Sequence, residues 1–266
     1  MTQLNIALIQ MTVKAGDPEA NFKHLQKQLE LAISQEKRPD VIMFPEMWNT
    51  GYALEQINEL ADVNGERTKA LLSAFSKQHK VNLIAGSIAE RQESGVRNTT
   101  YAFDRSGELH ADYSKIHLFR LMDEEKYLQA GNKVGSLAVD GNEAGMMICY
   151  DIRFPELSRK LALGGAKMLF VPAQWPNPRL HHWRTLLIAR AIENQMYVIA
   201  CNRVGTSGDT SFFGHSLIID PWGEVIAEAG SEETILQASI DLALVDEVRG
   251  RIPVFEDRRS SLYSGL

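Results

Sequence analysis

Apolar and polar positions fall in blocks along this chain. Short, nearly continuous apolar runs recur: "NIALIQM" at 5–11, then 41–45 and 81–86, "AGMMICY" at 144–150, then 168–171 and 197–201. Such runs predict strands covered on both faces. The longer segments between them, 18–36, 66–79, 155–164 and 181–195, read as helices. "DRSGE" (104–108) and "DPWGE" (220–224) carry hairpin-turn chemistry, with Gly supplying a position of positive φ. "ILQASIDL" at 235–242 alternates and predicts one more strand.

These blocks form an internal echo. "DVIMFPEMW" (40–48) returns as "KMLFVPAQW" (167–175), "VNLIAGS" (81–87) as "MYVIACN" (196–202), and "YAFDRSGEL" (101–109) as "LIIDPWGEV" (217–225). Each half reads strand, helix, strand, helix, strand, hairpin. The expected fold is α/β, a four-layer α-β-β-α sandwich with an internal pseudo-twofold repeat. No linker or low-complexity tract divides it, so residues 1–266 are expected to form a single domain. The stretch from about 243 to 266 reads as a C-terminal arm that docks on something. Ligands of open α/β sheets collect at the carboxyl ends of strands, which puts forward Gln10, Glu46, Cys149, Ala173 to Trp175, and Asn202. Glu46 stands where the second half has Ala173, and Cys149 where the first half has Gln10 or Met11. Unlike chemistry at matching positions suggests one site shared by both halves.

Composition narrows the function classes. With 44% apolar and 23% charged residues over 266 positions, the chain can bury a core without disulfides or metals. A net charge of −6 gives no reason to expect nucleic acid or an anionic membrane as partner. No apolar run is long enough to span a bilayer, and "MTQLNIALIQM" lacks the basic start and cleavage site of a signal peptide. Cys149 and Cys201 are the only cysteines, which fits a reducing, cytoplasmic setting.

Three residues could carry chemistry. Cys149 ends an apolar run, and Pro155 and Glu156 place a helix N-terminus nearby, whose dipole could lower a thiol pKa. It could equally fill the core, as Cys201 is taken to do. Glu46 in "FPEMW" leaves a buried strand among apolar neighbours, either as a general base or in a structural ion pair. Lys115 interrupts the apolar "YSKIHLF", where it either pairs in the interior or snorkels to the surface. Together they make a constellation in which Glu46 takes the thiol proton, Cys149 attacks a carbonyl, and Lys115 with the Tyr150 backbone N–H steadies the oxyanion. A Cys-His-Asn site from His117 or His215 with Asn202 is the competing arrangement. No G-x-S-x-G elbow, phosphate loop or metal-binding spacing occurs. His181–His182 is read as surface or pocket rim.

"FPEMW", "SKIHLF" and "ICYDIRFPEL", with "CNRVG" (201–205) and "GHSLIIDPWGEV" (214–225), resemble the carbon–nitrogen hydrolase (nitrilase) superfamily over essentially the whole chain. The resemblance implies an α-β-β-α sandwich and a Glu–Lys–Cys triad of Glu46, Lys115 and Cys149. It implies a thioester acyl-enzyme released by water, with no cofactor and no metal. It also implies a second glutamate seven residues before a glycine: Glu124, counted back from Gly131, with Glu125 as the fallback. "CYDIRFPEL" is similar to the ω-amidase branch, which hydrolyses the terminal amide of α-keto acid amides such as 2-oxoglutaramate. Deaminated-glutathione amidase, nitrilase and N-acyltransferase are the alternatives within the superfamily. Gln174, Trp175 and His182 are expected to line the pocket. Arg153, Arg179 and Arg184 are the candidate cations for a substrate carboxylate, though Asp151, Arg153 and Glu156 also read as a local salt-bridged scaffold. A homodimer, paired through helices near the nucleophile, is the expected assembly.

Overall fold

The internal echo is a repeat of topology. In the computed structural model, which describes residues 2–262, the strands Gln3–Gln10, Val41–Met43 and Asn82–Ile84 lie side by side and parallel. Gly95–Phe103 joins them antiparallel and turns back into Leu109–Ser114. The second half repeats the scheme with Asn142–Met146, Met168–Ala173 and Tyr197–Asn202 parallel, Leu217–Ile219 antiparallel beside them, and Val225–Glu228 returning. Parallel neighbours need crossovers. Here the helices Pro18–Ile33, Glu66–His79, Pro155–Leu163 and Leu180–Asn194 supply them.

The two sheets pack face to face with helices outside, as the sequence predicts. Leu4, Ile6 and Leu8 point inward to one cluster with Met146, Met168, Phe170 and Ala200 of the other sheet. Ala7 and Ile9, on the opposite face of the same strand, meet Phe22, Leu25 and Leu29 of the first helix. Both faces of the strand are therefore dry, the physical reason its apolar run is unbroken. The first helix starts where Asp17 accepts the Ala20 N–H at 3.0 Å and Pro18 pre-sets the first turn. Its apolar stripe, Phe22, Leu25, Leu29 and Ala32, is fully covered.

The strand Thr234–Asp241 pairs antiparallel with the whole of Gln3–Gln10, from Gln3 opposite Asp241 to Gln10 opposite Thr234. A segment that follows the second half thus completes the sheet of the first. The stretch expected as an arm continues as the helix Ala243–Arg251, which buries Val245 and Val248 against its own chain. Arg249 donates to the carbonyls of Ala166 (2.7 Å) and Gln195 (3.2 Å) and pins it there. Residues 263–266 of that stretch lie outside the described residues.

The sequence placed a strand over 144–150, but the ladder stops at Met146. Asp151 accepts the Ile148 N–H at 2.9 Å, and its own N–H donates to the Ile148 carbonyl at 3.0 Å. This local bonding diverts the backbone from the sheet. Cys149 accordingly opens a short 3-10 turn, Cys149–Arg153, at φ +48°.

Gly86 shows how closely the first sheet end is fitted. At φ +53° a Cβ there would stand 2.1 Å from the Pro45 carbonyl oxygen and 2.7 Å from that of Phe44. Left-handed geometry alone costs a non-glycine residue about 1–2 kcal/mol. Gly86→Ala should therefore lower the unfolding free energy by about 2 kcal/mol or more, read from urea denaturation. A variant within about 0.5 kcal/mol of the parent would contradict this packing.

Candidate active site

Four side chains from separate elements meet in a dry cluster at the strand ends. Glu46 follows the strand Val41–Met43, Lys115 follows Leu109–Ser114, Glu124 opens the short helix Glu124–Tyr127, and Cys149 opens its turn. Glu46 and Glu124 are fully buried, Lys115 is 1% exposed and Cys149 7%. Lys115 Nζ donates to Glu46 Oε1 at 2.9 Å and to Glu124 Oε1 at 2.7 Å. The Cys149 thiol faces the Glu46 carboxylate. Glu125, next to Glu124, is exposed.

The remaining lone pairs of Glu46 are also used. Its Oε1 accepts from Asn98 Nδ2 and from the Tyr52 hydroxyl, each at 2.8 Å, and its Oε2 accepts the Gln174 backbone N–H at 2.8 Å. Glu124 Oε2 accepts the Phe119 N–H at 2.9 Å, and its Oε1 lies 2.8 Å from the Tyr52 hydroxyl. A buried carboxylate is tolerated only when its lone pairs are met in this way. Met47, beside the base, is left-handed at φ +45°, like Cys149. Two non-glycine residues in this strained region flank the chemistry, where backbone strain commonly concentrates.

Asp151 ties the cysteine turn to the lysine strand. Its Oδ2 accepts from the Tyr113 hydroxyl (2.6 Å) and its Oδ1 from the His117 N–H (3.1 Å). Tyr113 and His117 stand two residues either side of Lys115, so one carboxylate fixes both groups relative to each other. The Tyr150 N–H lies in the first turn of Cys149–Arg153, where a helical segment leaves amide donors without internal partners.

Burial sets the electrostatics. Dehydration, reinforced by the Glu46 carboxylate, pushes the Cys149 thiol well above its ordinary value, outweighing Lys115. Burial would lower Lys115, but Glu124 and Glu46 overcome it and hold the ammonium well above its usual range. Burial raises Glu124, with Lys115 opposing and Glu46 assisting.

The pocket above the cysteine is lined by Tyr52, Phe119, Glu124, Tyr150, Trp175 and Arg153, with Gln174 and Arg179 among the rest. It is a narrow pocket with little free space above the sulfur. Trp175 and Arg153 lie together, the guanidinium 4.9 Å from the indole centroid. Gln174 is 1% exposed and donates its side-chain amide to the Glu46 carbonyl at 2.7 Å, so it braces the base. His182 is exposed, lies outside the lining, and meets Arg153 through Nδ1 at 3.2 Å. Arg184 is taken by Glu228 at 2.6 Å.

The competing Cys-His-Asn arrangement is not assembled. His117 Nδ1 faces Asp151 at 2.8 Å, His215 Nδ1 faces Glu228 at 2.8 Å, and Asn202 holds the Trp175 backbone through both ends of its amide. Cys201 is buried against the Ile9 carbonyl at 3.4 Å. Among the described residues no group of three His, Cys, Asp or Glu is placed to hold a metal ion. No described helix is long and apolar enough to cross a membrane.

Sequence reasoning passed over Tyr52, Asn98 and Arg203. Asn98 left a signal, a polar side chain within the buried strand Gly95–Phe103. Tyr52 left none, since aromatic residues are ordinary in apolar surroundings.

A thiol held so high should ionise late. Alkylation of Cys149 by iodoacetamide should keep accelerating from pH 6 through pH 9 without levelling, tracking the growing thiolate fraction. A plateau reached below about pH 7.5, the range of thiols lowered by their surroundings, would overturn the assignment.

Known proteins are similar to this chain along almost its whole length. The 2-oxoglutaramate amidase of Bacillus subtilis is 49% identical over 258 residues, 97% of this chain and 98% of that protein. The crystal structure of a carbon–nitrogen hydrolase from Helicobacter pylori superposes with a TM-score of 0.91 at 27% identity, covering 99% and 97% of the two chains. A mutant amidase from Nesterenkonia (TM-score 0.85, 25% identity, 98% and 95% covered) carries the acetamide moiety of fluoroacetamide covalently at its active-site cysteine. The family model for carbon–nitrogen hydrolases matches residues 5–250, and the chain belongs to that family.

Proposed function

We propose that this enzyme hydrolyses the terminal amide of a small carboxylate-bearing amide, 2-oxoglutaramate being the leading substrate, through a thioester on Cys149. The observation that carries the reading is the buried Glu46–Lys115–Cys149 cluster opening on a pocket that also holds the Arg153 guanidinium. The amidase similarity and the cysteine adduct in a relative support it.

The amide carbonyl enters between Cys149 and the donors. Glu46 takes the thiol proton as sulfur attacks the carbonyl carbon, and the oxyanion is met by Lys115 and the Tyr150 N–H. The tetrahedral species collapses as Glu46 returns that proton to the departing nitrogen, and ammonia leaves. Water then gives a proton to Glu46 and its oxygen to the thioester carbon. Collapse releases the acid, and the proton on Glu46 restores the thiol. Amide and water become acid and ammonia, with nothing else consumed. Glu124, which orients Lys115, positions substrate and water.

Arg153 is the cation best placed for the substrate carboxylate. It lines the pocket over Trp175, and it meets His182 through a ring nitrogen rather than a carboxylate. Arg179 lines the same pocket, whereas Arg184 is neutralised by Glu228. Two free cysteines suit a reducing cytoplasm. Leu163 and Ile192, exposed on the helices Pro155–Leu163 and Leu180–Asn194, offer an apolar face for a second copy of the chain.

Ammonia release should be measured on 2-oxoglutaramate, 2-oxosuccinamate, glutamine, deaminated glutathione and a simple nitrile, beside Cys149→Ala. Turnover of the keto acid amides is expected, and it should vanish in the variant with the fold intact. Activity surviving in Cys149→Ala would sink the mechanism; turnover confined to deaminated glutathione or the nitrile would move the substrate. Lys115→Ala should lose on the order of 10²–10³ in kcat. Arg153→Ala should raise KM for the keto acid amides about tenfold or more, the worth of one charge-assisted hydrogen bond. An unchanged KM would remove Arg153 from the carboxylate.

A further inference from the structure

The Tyr52 hydroxyl has one hydrogen and two carboxyl oxygens in bonding range: Glu46 Oε1 and Glu124 Oε1, both at 2.8 Å. Two ionised carboxylates would leave one of these contacts as lone pair against lone pair. Lys115 cannot resolve this, since its Nζ stands 3.5 Å from the Tyr52 oxygen while bonding both carboxyls more closely. One further proton is needed in the cluster.

The donors say where it sits. Glu46 accepts from Asn98 Nδ2, from Lys115 and from the Gln174 backbone N–H, three groups that can only donate. Glu124 has two obligatory donors, Lys115 and the Phe119 N–H. The carboxyl with fewer donors is the cheaper one to neutralise. We propose that Tyr52 is a positioning residue of the hydrolytic site: its phenol donates to Glu46 and accepts from a protonated Glu124, so the two carboxyls share one proton in the free enzyme.

This arrangement leaves the cluster electrically balanced. Glu46 is ionised, Lys115 is an ammonium, and Glu124, Tyr52 and Cys149 are neutral. A second carboxylate would place an uncompensated negative charge where the oxyanion must form. Burial, which raises Glu124, acts in the same direction. The ionisable groups facing Tyr52 are Glu46 at the end of its strand, Lys115 just past Leu109–Ser114, Glu124 from its helix and Cys149 from its turn. Arg153 and Arg179 face the same pocket from further out.

The inference rests on the reading of Glu46 as the base. Neutron diffraction of the deuterium-exchanged native enzyme is the direct test, with deuterium expected on Glu124 towards Tyr52. Two bare carboxylates would overturn it. In solution, Tyr52→Phe keeps the ring and removes one donor from the ionised form of Glu46. The acid limb of kcat/KM should therefore move to higher pH by about one unit. A lower kcat with an unmoved acid limb would mean that Tyr52 only fills space. Cys149→Ala separates the two failures. If it stays active, the hydrolytic reading falls whatever the neutron map shows. If it is dead while both carboxylates are bare, only the shared proton falls.

Discussion

A single buried carboxylate organises this molecule. Glu46 is shut off from solvent and held by Lys115, Asn98 and Tyr52 from the first half of the chain and by the Gln174 N–H from the second. An ion in such a place is destabilising by several kcal/mol unless every lone pair is met. Each donor must therefore be delivered by its own element to within about 3 Å. The two sheets cannot slide or splay without breaking that set. The fold is as much a frame for one carboxylate as a container for apolar side chains.

The frame has a further layer of support. Arg203 is fully buried and donates Nη1 to Gln174 Oε1 at 3.1 Å and Nη2 to the Val13 carbonyl at 2.7 Å. Burial pushes it down to about 10, and it packs 4.3 Å from the Phe212 ring centroid. Gln174, anchored in this way, can hold both the backbone and the carboxylate of Glu46. Asp151 does the corresponding work for Cys149. Arg203, Gln174 and Asp151 thus hold Glu46 and Cys149 in fixed positions relative to each other.

The layers and their order were legible in the sequence because strands buried on both faces must be apolar throughout, and the repeat doubled that signal. Glu46, Lys115 and Cys149 were legible for the converse reason: a charge or a thiol at the end of such a run needs explaining. The rest was hidden by its chemistry. Tyr52 contributes one oxygen on a ring that any core would accept. Asp151 follows Cys149 so closely that it read as part of a local salt-bridged scaffold with Arg153 and Glu156, yet its bonds go to Tyr113 and His117. Gln174 lines the pocket as expected, but its side-chain amide also runs inward to Glu46. Sequence order marks where a side chain starts and leaves open which way it turns.

The repeat also explains why there is one site. The Glu46 N–H points at the carbonyl of Ala173, its own counterpart in the second half, at 3.5 Å. Matching positions that touch lie on the pseudo-twofold axis, where the carboxyl ends of both sheets converge. A symmetric pair of carboxylates there would repel in a dry cavity. The second half instead offers an alanine and the backbone N–H of the next residue, which is what a buried anion needs. Gln10, the counterpart of the cysteine region, turns its side chain away to Gly230, Glu232 and Ser216. Duplication supplies the two sheet ends, and electrostatics at the axis allows a carboxylate on only one of them.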